Sequence, residues 1–426
     1  MTANWVEVTG RGVVSSAGLT VPEFTRTILS GQCMIGDISD VAADIRFTKG
    51  AAIRNFDPTA HFDERTLSSL DRFSQFAAVA ARGALAEAGL LRGGVLEPGT
   101  NPEHIAVIVG TANGGGDILM EGYGRLYKEN RKPRPLTIPM SMASAPASRI
   151  ARELGARGPV FGVSSACASS NHAMITGMML IRAGLIDVAV VGGTDSCFYE
   201  SYLQVWDVLR AVSSETCRPF SIGRKGLIIG EGAGILVLER AGRAAARGAQ
   251  VVARLLGGGM SSDAGDLIAP DSSGMARAMR AAVADAGLEA DAVGYINAHG
   301  TGTVANDRAE SRAINEVFGG NQQKISVSST KSIVGHAMGA SGAIEAIATL
   351  AALETGMIPP TVNFIAADPD CDIDATPNEA RKRAVNVAMS NSFAFGGLNV
   401  SLAFARASAF SSEADTGSRE ENALFK

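Results

Sequence analysis

The sequence predicts a layered α/β fold built from two duplicated halves. Three observations predict it: strand-like runs alternate with helical stretches, a motif recurs at a constant interval, and apolar residues make up 46% of the 426-residue chain. With only 19% charged residues, that apolar share supports an extensive core and excludes a disordered chain.

Taken in order, MTANWVEVTGRG has neither the charged start nor the apolar core of a signal peptide. WVEVTG (5–10) reads as the first strand. GRGVVS (10–15) imitates a dinucleotide-binding loop, but Ser15 stands where the third glycine belongs. HIAVIVG (104–110) is the next strong strand. The apolar region 173–193 is interrupted by Arg182 and Asp187, so it reads as a buried helix followed by the strand VAVVGG (188–193), not as a membrane span. GILVLE (234–239), VGYINA (293–298) and ISVSS (325–329) complete the strand series, with Ala/Leu-rich helical stretches between. After Ala405 the chain turns polar, which predicts a fraying tail.

The repeat is Val163-Ser-Ser-Ala-Cys167 followed by His172-Ala-Met, and Val327-Ser-Ser-Thr-Lys331 followed by His336-Ala-Met. Each copy leads into an apolar helix, at 173–183 and 343–353. Duplication would put Cys167 and Lys331 at equivalent places about a pseudo-twofold axis, each where a strand gives way to a helix.

A net charge of −5 argues against a nucleic-acid binder. Five scattered cysteines (33, 167, 197, 217, 371) form no disulfide framework and suit a reducing cytoplasm.

Cys167 is the natural nucleophile. A helix N-terminus favours thiolate, and Ala166, Ala168, Ser169 and Ser170 leave room for a substrate. Position alone leaves a buried structural cysteine as good a reading. Two other segments shift that balance. NAHGTGT puts His299 at a strand end before a glycine turn, and STKSIVGHAMG places Lys331 and His336 around another strand-to-helix turn. His61, His104 and His172 lack such settings and read as structural. Forming a carbon–carbon bond from thioesters needs a group to hold the acyl chain and donors to stabilise an enolate. Cysteine, two imidazoles and an ammonium supply that set, with backbone N–H groups of the turn Phe395-Gly396-Gly397 as further donors. A Cys/His/His metal site is the weaker reading, because no two ligands have zinc-motif spacing.

The stretches SSACASS (164–170), CRPFSIGRKGLIIGEGAG (217–234), NAHGTGTVANDRAE (297–310), STKSIVGHAMGASGAIE (329–345) and SNSFAFGGLN (390–399) resemble the β-ketoacyl-acyl-carrier-protein synthases, in their elongating type II branch. The resemblance runs from about residue 5 to residue 407. CRPFSIGRKG and DPDCDID (368–374) are also similar to nodulation-type synthases of rhizobia. The resemblance implies a thiolase-like αβαβα fold. Its N-terminal half, 1–252, would carry the cysteine, its C-terminal half, 253–409, the His/Lys/His set, and 410–426 would be a polar tail. It implies that Cys167 takes the acyl chain, that His299 and His336 promote malonyl decarboxylation and condensation, and that Lys331 organises the charge with Glu310 as partner. The N–H groups of Cys167 and Phe395 would form the oxyanion hole, Phe395 and Phe393 the gate, and Thr301, Thr303 and Asp307 the supporting set. Ala166, Tyr202 and Trp206 fall where acyl-pocket residues are expected, and core packing of the two rings stays open. Arg131, Lys132 and Arg210 match positions that contact the carrier protein. No cofactor, metal or membrane insertion is implied; the partners are acyl and malonyl forms of the carrier, plus a second copy or a related ketosynthase-like subunit.

Ser221, Arg224-Lys225-Gly226, Ala394 and Leu398 depart from the common fatty-acid pattern, which leaves open both fatty-acid elongation and a specialised polyketide, polyene or nodulation-type pathway. A silent chain-length partner subunit would lack the cysteine, which is present. A thiolase would carry a second cysteine near SNSFAFGGLN, which has none.

Overall fold

A computed structural model describes residues 5–319 and 325–410. Ten strands form one mixed sheet. Those of the first half are β1 (Val6–Ser15), β2 (Ile105–Gly110), β3 (Val160–Val163), β4 (Val188–Asp195) and β5 (Gly232–Arg240). The second half contributes β6 (Ala253–Ser262), β7 (Tyr295–Asn297), β8 (Ser326–Ser328), β9 (Val387–Ala394) and β10 (Leu398–Arg406). Their order is β8-β7-β9-β10-β6-β1-β5-β4-β2-β3. Each half therefore has the same internal order, reflected about the antiparallel β1–β6 seam, where Val6 faces Leu255 and Val8 faces Ala253. Parallel pairs lie toward both outer ends, and antiparallel pairs near the seam. The alternating strands and helices of the sequence fold as expected.

The helices that matter for the site are α1 (Arg72–Glu87), α2 (Gly116–Tyr127), α3 (Ser169–Arg182), α4 (Glu200–Leu209), α5 (Ser272–Asp285), α6 (Val304–Phe318) and α7 (Ser341–Thr355). Helix α1 packs on β1 and β5, and α5 packs on β6 and β10. Helices α3 and α7 touch each other and strands of both halves, which makes them the middle layer. Both are accordingly apolar nearly all round; every residue of α7 from Ser341 to Leu353 is buried. Gly10 and Gly12, the false dinucleotide loop, lie inside β1. A Cβ there would sit 2.0 Å and 1.8 Å from the carbonyls of Ala84 and Ala80, so these glycines let α1 lie directly on the strand. Gly257 and Gly259 do the same for α5 on β6.

The repeat is real, but its register shifts. The two strands end at Val163 and Ser328, whereas the buried helices start at Ser169 and Ser341, so the second connection is longer. The residue that occupies the place of Cys167 before the second helix is Gly339. Lys331 and His336 lie in the extra chain, Lys331 opening a single helical turn (Lys331–Val334). Both helices are preceded by a left-handed residue, Ala166 and Met338, each with φ 49°. The polar tail lies outside the described residues from 411 onward. Among the described residues, no helix is long and apolar enough to cross a membrane.

Candidate active site

Cys167, His299 and His336 come from three segments and meet on one cavity. Their ligand atoms lie within 4.8 Å of one another, and all three are buried. Cys167 sits just before α3. His299 follows β7, where Gly300 and Gly302 (φ 36° and 79°) turn the chain back toward α6. The left-handed Gly302 would become strained with any side chain, and its Cβ would press on Cys217 Sγ at 3.1 Å.

The hydrogen bonds assign states. Cys167 Sγ lies 3.0 Å from His336 Nε2, and His336 Nδ1 lies 2.7 Å from Ser341 Oγ. Lys331 Nζ contacts three acceptors: His299 Nδ1 at 3.3 Å, the His299 carbonyl at 2.7 Å, and the Glu345 carboxylate. An ammonium has three N–H groups and no acceptor, so His299 Nδ1 must accept and its proton resides on Nε2. Burial, then Lys331 and His336, hold the His299 imidazole well below its ordinary range. Burial and Lys331 do the same to His336, so both rings are neutral at pH 7. Burial pushes the Cys167 thiol up to about 12, with Lys331 pulling the other way. The resting pair is thus a thiol beside a neutral imidazole.

Lys331 does not pair with Glu310, although the resemblance implies that it would. Lys331 pairs with Glu345 of α7, while Glu310 accepts the backbone N–H groups of His299 (2.8 Å) and Gly300 (2.7 Å) and so shapes the histidine turn. Burial raises both carboxyls to about 7, opposed at Glu310 by those two N–H donors and at Glu345 by Lys331. Glu345 was missed from sequence, although an acid inside the otherwise apolar SGAIEAIATLAAL demands a buried partner.

Asp307 is fully buried and accepts from Phe220 N (2.9 Å) and Gly302 N (3.2 Å), so it braces the same turn from the other side. Thr301 and Thr303 hydroxyls lie 2.9 Å apart, and Thr303 also caps α6 through Asn306 N. Arg224, in the departing segment, is buried against Asp307 and bonded to Asp368 of DPDCDID.

The cavity has a volume of about 320 Å³. Besides Cys167, His299 and His336, Thr301, Thr303, Phe393 and Phe395 line it, and Arg210 stands at its wall. The Phe393 ring meets His299 edge-on at 6.2 Å, and the half-exposed Phe395 stacks on Trp206 at 6.3 Å. Of the three expected acyl-pocket residues, only Trp206 lines this cavity. Tyr202 lies behind Trp206, its hydroxyl accepting from Asn113 Nδ2 at 2.8 Å, and Ala166 forms the turn before Cys167. Arg131 and Lys132 are exposed in the loop after α2, with Arg131 3.3 Å from Glu129.

The trio is close enough to share a metal ion. The Lys331 ammonium directly behind His299 repels a second cation, and the raised thiol disfavours a thiolate ligand, so the donor set suits acyl chemistry better.

Two family models match the chain: the β-ketoacyl synthase N-terminal domain matches residues 3–244, and its C-terminal domain matches residues 252–365. Nodulation protein E of Rhizobium sp. (strain N33) is 43% identical over 94% of this chain and 98% of its own length. The 3-oxoacyl-[acyl-carrier-protein] synthase 2 of Synechocystis sp. is 37% identical over 94% and 97%. Among solved structures, the ishigamide ketosynthase/chain length factor superposes with a TM-score of 0.89 at 34% identity, covering 95% of this chain and all of that one.

Proposed function

The chain belongs to the β-ketoacyl synthase family, condensing enzymes that join a cysteine-bound acyl group to a decarboxylating malonyl unit, and on that premise we propose how its residues divide the work. The observation that carries the reading is the convergence of Cys167 Sγ with two neutral imidazoles on one cavity wall.

In the first step Cys167 gives its proton to His336 Nε2 while His336 donates Nδ1–H to Ser341 Oγ. Sγ attacks the carrier-bound thioester, the carrier thiolate leaves, and that thiolate takes the proton back from His336. The transient oxyanion rests on the N–H groups of Cys167 and Phe395. The second turn supports this: at Gly339, the counterpart of Cys167, the N–H binds a carboxylate oxygen of Asp195 at 2.7 Å. In the second step the malonyl C–C bond breaks, carbon dioxide leaves, and the enolate oxygen accepts from His299 Nε2–H and His336 Nε2–H. A serine hydroxyl can donate or accept, so Ser341 lets His336 change tautomer between the steps. The enolate carbon then attacks the acyl carbonyl on Cys167, and the released thiolate recovers a proton from solvent. Lys331 fixes the tautomer of His299 throughout.

The acyl and malonyl groups arrive on a carrier protein, docked through Arg210 at the cavity and the Arg131–Lys132 loop, in the cytoplasm. Reversing Arg131 and Lys132 to Glu should raise KM for the carrier-bound substrate and leave a small acyl-pantetheine thioester unaffected; equal losses would assign the loop to the fold. A second ketosynthase-like chain, identical or related, pairs along β3, the strand whose outer edge is open and where Phe161 is exposed. The fold divides functionally at about residue 252. Mass spectrometry of the Cys167 peptide after expression in the native host should show an acyl adduct; an unmodified Cys167 with acyl groups elsewhere would refute the assignment.

A further inference from the structure

The turns before α3 and α7 share their backbone but are held differently. Each needs a non-glycine residue with φ 49°, a conformation that costs roughly 1–2 kcal/mol and persists only where its surroundings impose it. In the second turn two groups grip the Gly339 peptide: Asp195 accepts its N–H, and Ser170 Oγ donates to its carbonyl. If the Cys167 N–H serves the oxyanion, as proposed above, the first turn must be held from its flank. Ser169 Oγ donates to the Ala166 carbonyl at 2.6 Å and accepts Ser165 N–H at 2.9 Å. One more contact secures Ser165: its Oγ lies 2.8 Å from His172 Nδ1. His172 is a residue of α3, half-buried, and burial lowers its pKa, which leaves a neutral ring with one accepting nitrogen. The corresponding places before and within α7 are Ala337 and Ile344, which have no such bond to make. The serine–histidine pair occurs only on the turn that carries the nucleophile.

We propose that His172 is a positioning residue: acting through Ser165, it holds the left-handed turn that presents Cys167 to the cavity. It touches neither substrate nor the reacting sulfur. Without it the Ala166 turn relaxes and Sγ leaves its place 3.0 Å from His336 Nε2.

The test compares two reactions of the full-length protein. Iodoacetamide alkylation of Cys167, followed on its peptide by mass spectrometry, reports the nucleophile and is independent of the condensation reading. Malonyl-thioester decarboxylation reports His299 and His336. His172→Ala should slow alkylation about tenfold, in keeping with the cost of a small misplacement of a reacting group. Decarboxylation should stay within about twofold, and His172→Asn should restore alkylation by presenting an amide where Nδ1 stood. Ser165→Ala should give the same loss, and the double variant no more than either single one. Unchanged alkylation in His172→Ala, multiplied losses in the double variant, or an equal fall in both reactions would overturn the proposal. Should His172→Ala not fold, His172→Asn and Ser165→Ala carry the comparison. Absent decarboxylation in the unaltered protein, with the alkylation pattern intact, would refute the functional reading and leave the positioning role standing.

Discussion

The two halves repeat one strand order and one pre-helical turn, yet the first turn carries a thiol, Cys167, and the two imidazoles and the ammonium gathered around it come from the second half. At Cys167 the turn offers a thiol. At Gly339 a Cβ would lie 2.5 Å from Ala112 N and 2.7 Å from Asp195 Oδ2, so no side chain fits, and a carboxylate oxygen binds the N–H whose counterpart at Cys167 is proposed to hold the oxyanion. The longer connection before α7 compensates by bringing in Lys331 and His336. Duplication thus supplied two symmetric frames, and the chemistry arose where they differ. The sheet edges differ likewise: β8 is buried, with Val327 N–H bonded to the Asp374 carbonyl of a covering segment, while β3 is left half-exposed.

The largest expected effect tests the inserted charge. Lys331→Met leaves Glu345 buried without its cation, which should cost about 3–5 kcal/mol in denaturant unfolding and release the His299 tautomer. Adding Glu345→Leu should recover most of that stability, since a buried ion pair can be replaced by apolar packing, but should not recover condensation. Recovery of both would mean that the pair serves packing alone.

A smaller effect tests the carboxylate in the second turn. Burial raises Asp195 to about 6, opposed by Thr111 Oγ1 and the backbone N–H groups of Ala112, Asn113 and Gly339. The native carboxyl therefore holds its proton at a pH where the unfolded one has lost it. The stability this contributes is fully present below pH 4 and is lost as pH rises through about 6. Relative to Asp195→Asn, the unaltered protein should lose about 2–3 kcal/mol between pH 4 and 7. A flat difference would show that the Asp195 carboxyl is not raised. The smallest effect on chemistry concerns the open edge: light scattering should give a dimer at micromolar concentration, and Phe161→Asp should shift it toward monomer. A monomeric unaltered chain would leave β3 without its proposed partner.

Much of this was readable in the residues. Val/Ile runs marked the strands, and short glycine turns marked His299 and His336, because buried strands and tight turns are local in sequence. The two apolar helices over 173–183 and 343–353 were readable too, since apolar residues predominate in both stretches. What escaped was relational. Lys331 had two acids within reach, Glu310 and Glu345, and only the three-dimensional path of α7 selects the second. The repeat aligned the two strands to within a residue, but the length difference before the helices hid that Gly339, not Lys331, matches Cys167. His172 looked structural because its partner Ser165 lies seven residues earlier, outside the helix and across a left-handed residue that nothing in the composition announces. Tyr202 fell behind Trp206 because Asn113 offers its hydroxyl a bond there.

The central claim is that the first half holds the acyl chain while the second half decarboxylates. It is tested most directly by assaying condensation and malonyl-carrier decarboxylation side by side in Cys167→Ala and His299→Ala. Cys167→Ala should abolish condensation and still release carbon dioxide, while His299→Ala should lower both reactions by two orders of magnitude or more, roughly the cost of removing one preorganised donor. Condensation surviving in Cys167→Ala, or decarboxylation surviving undiminished in His299→Ala, would contradict the division of labour between the two halves.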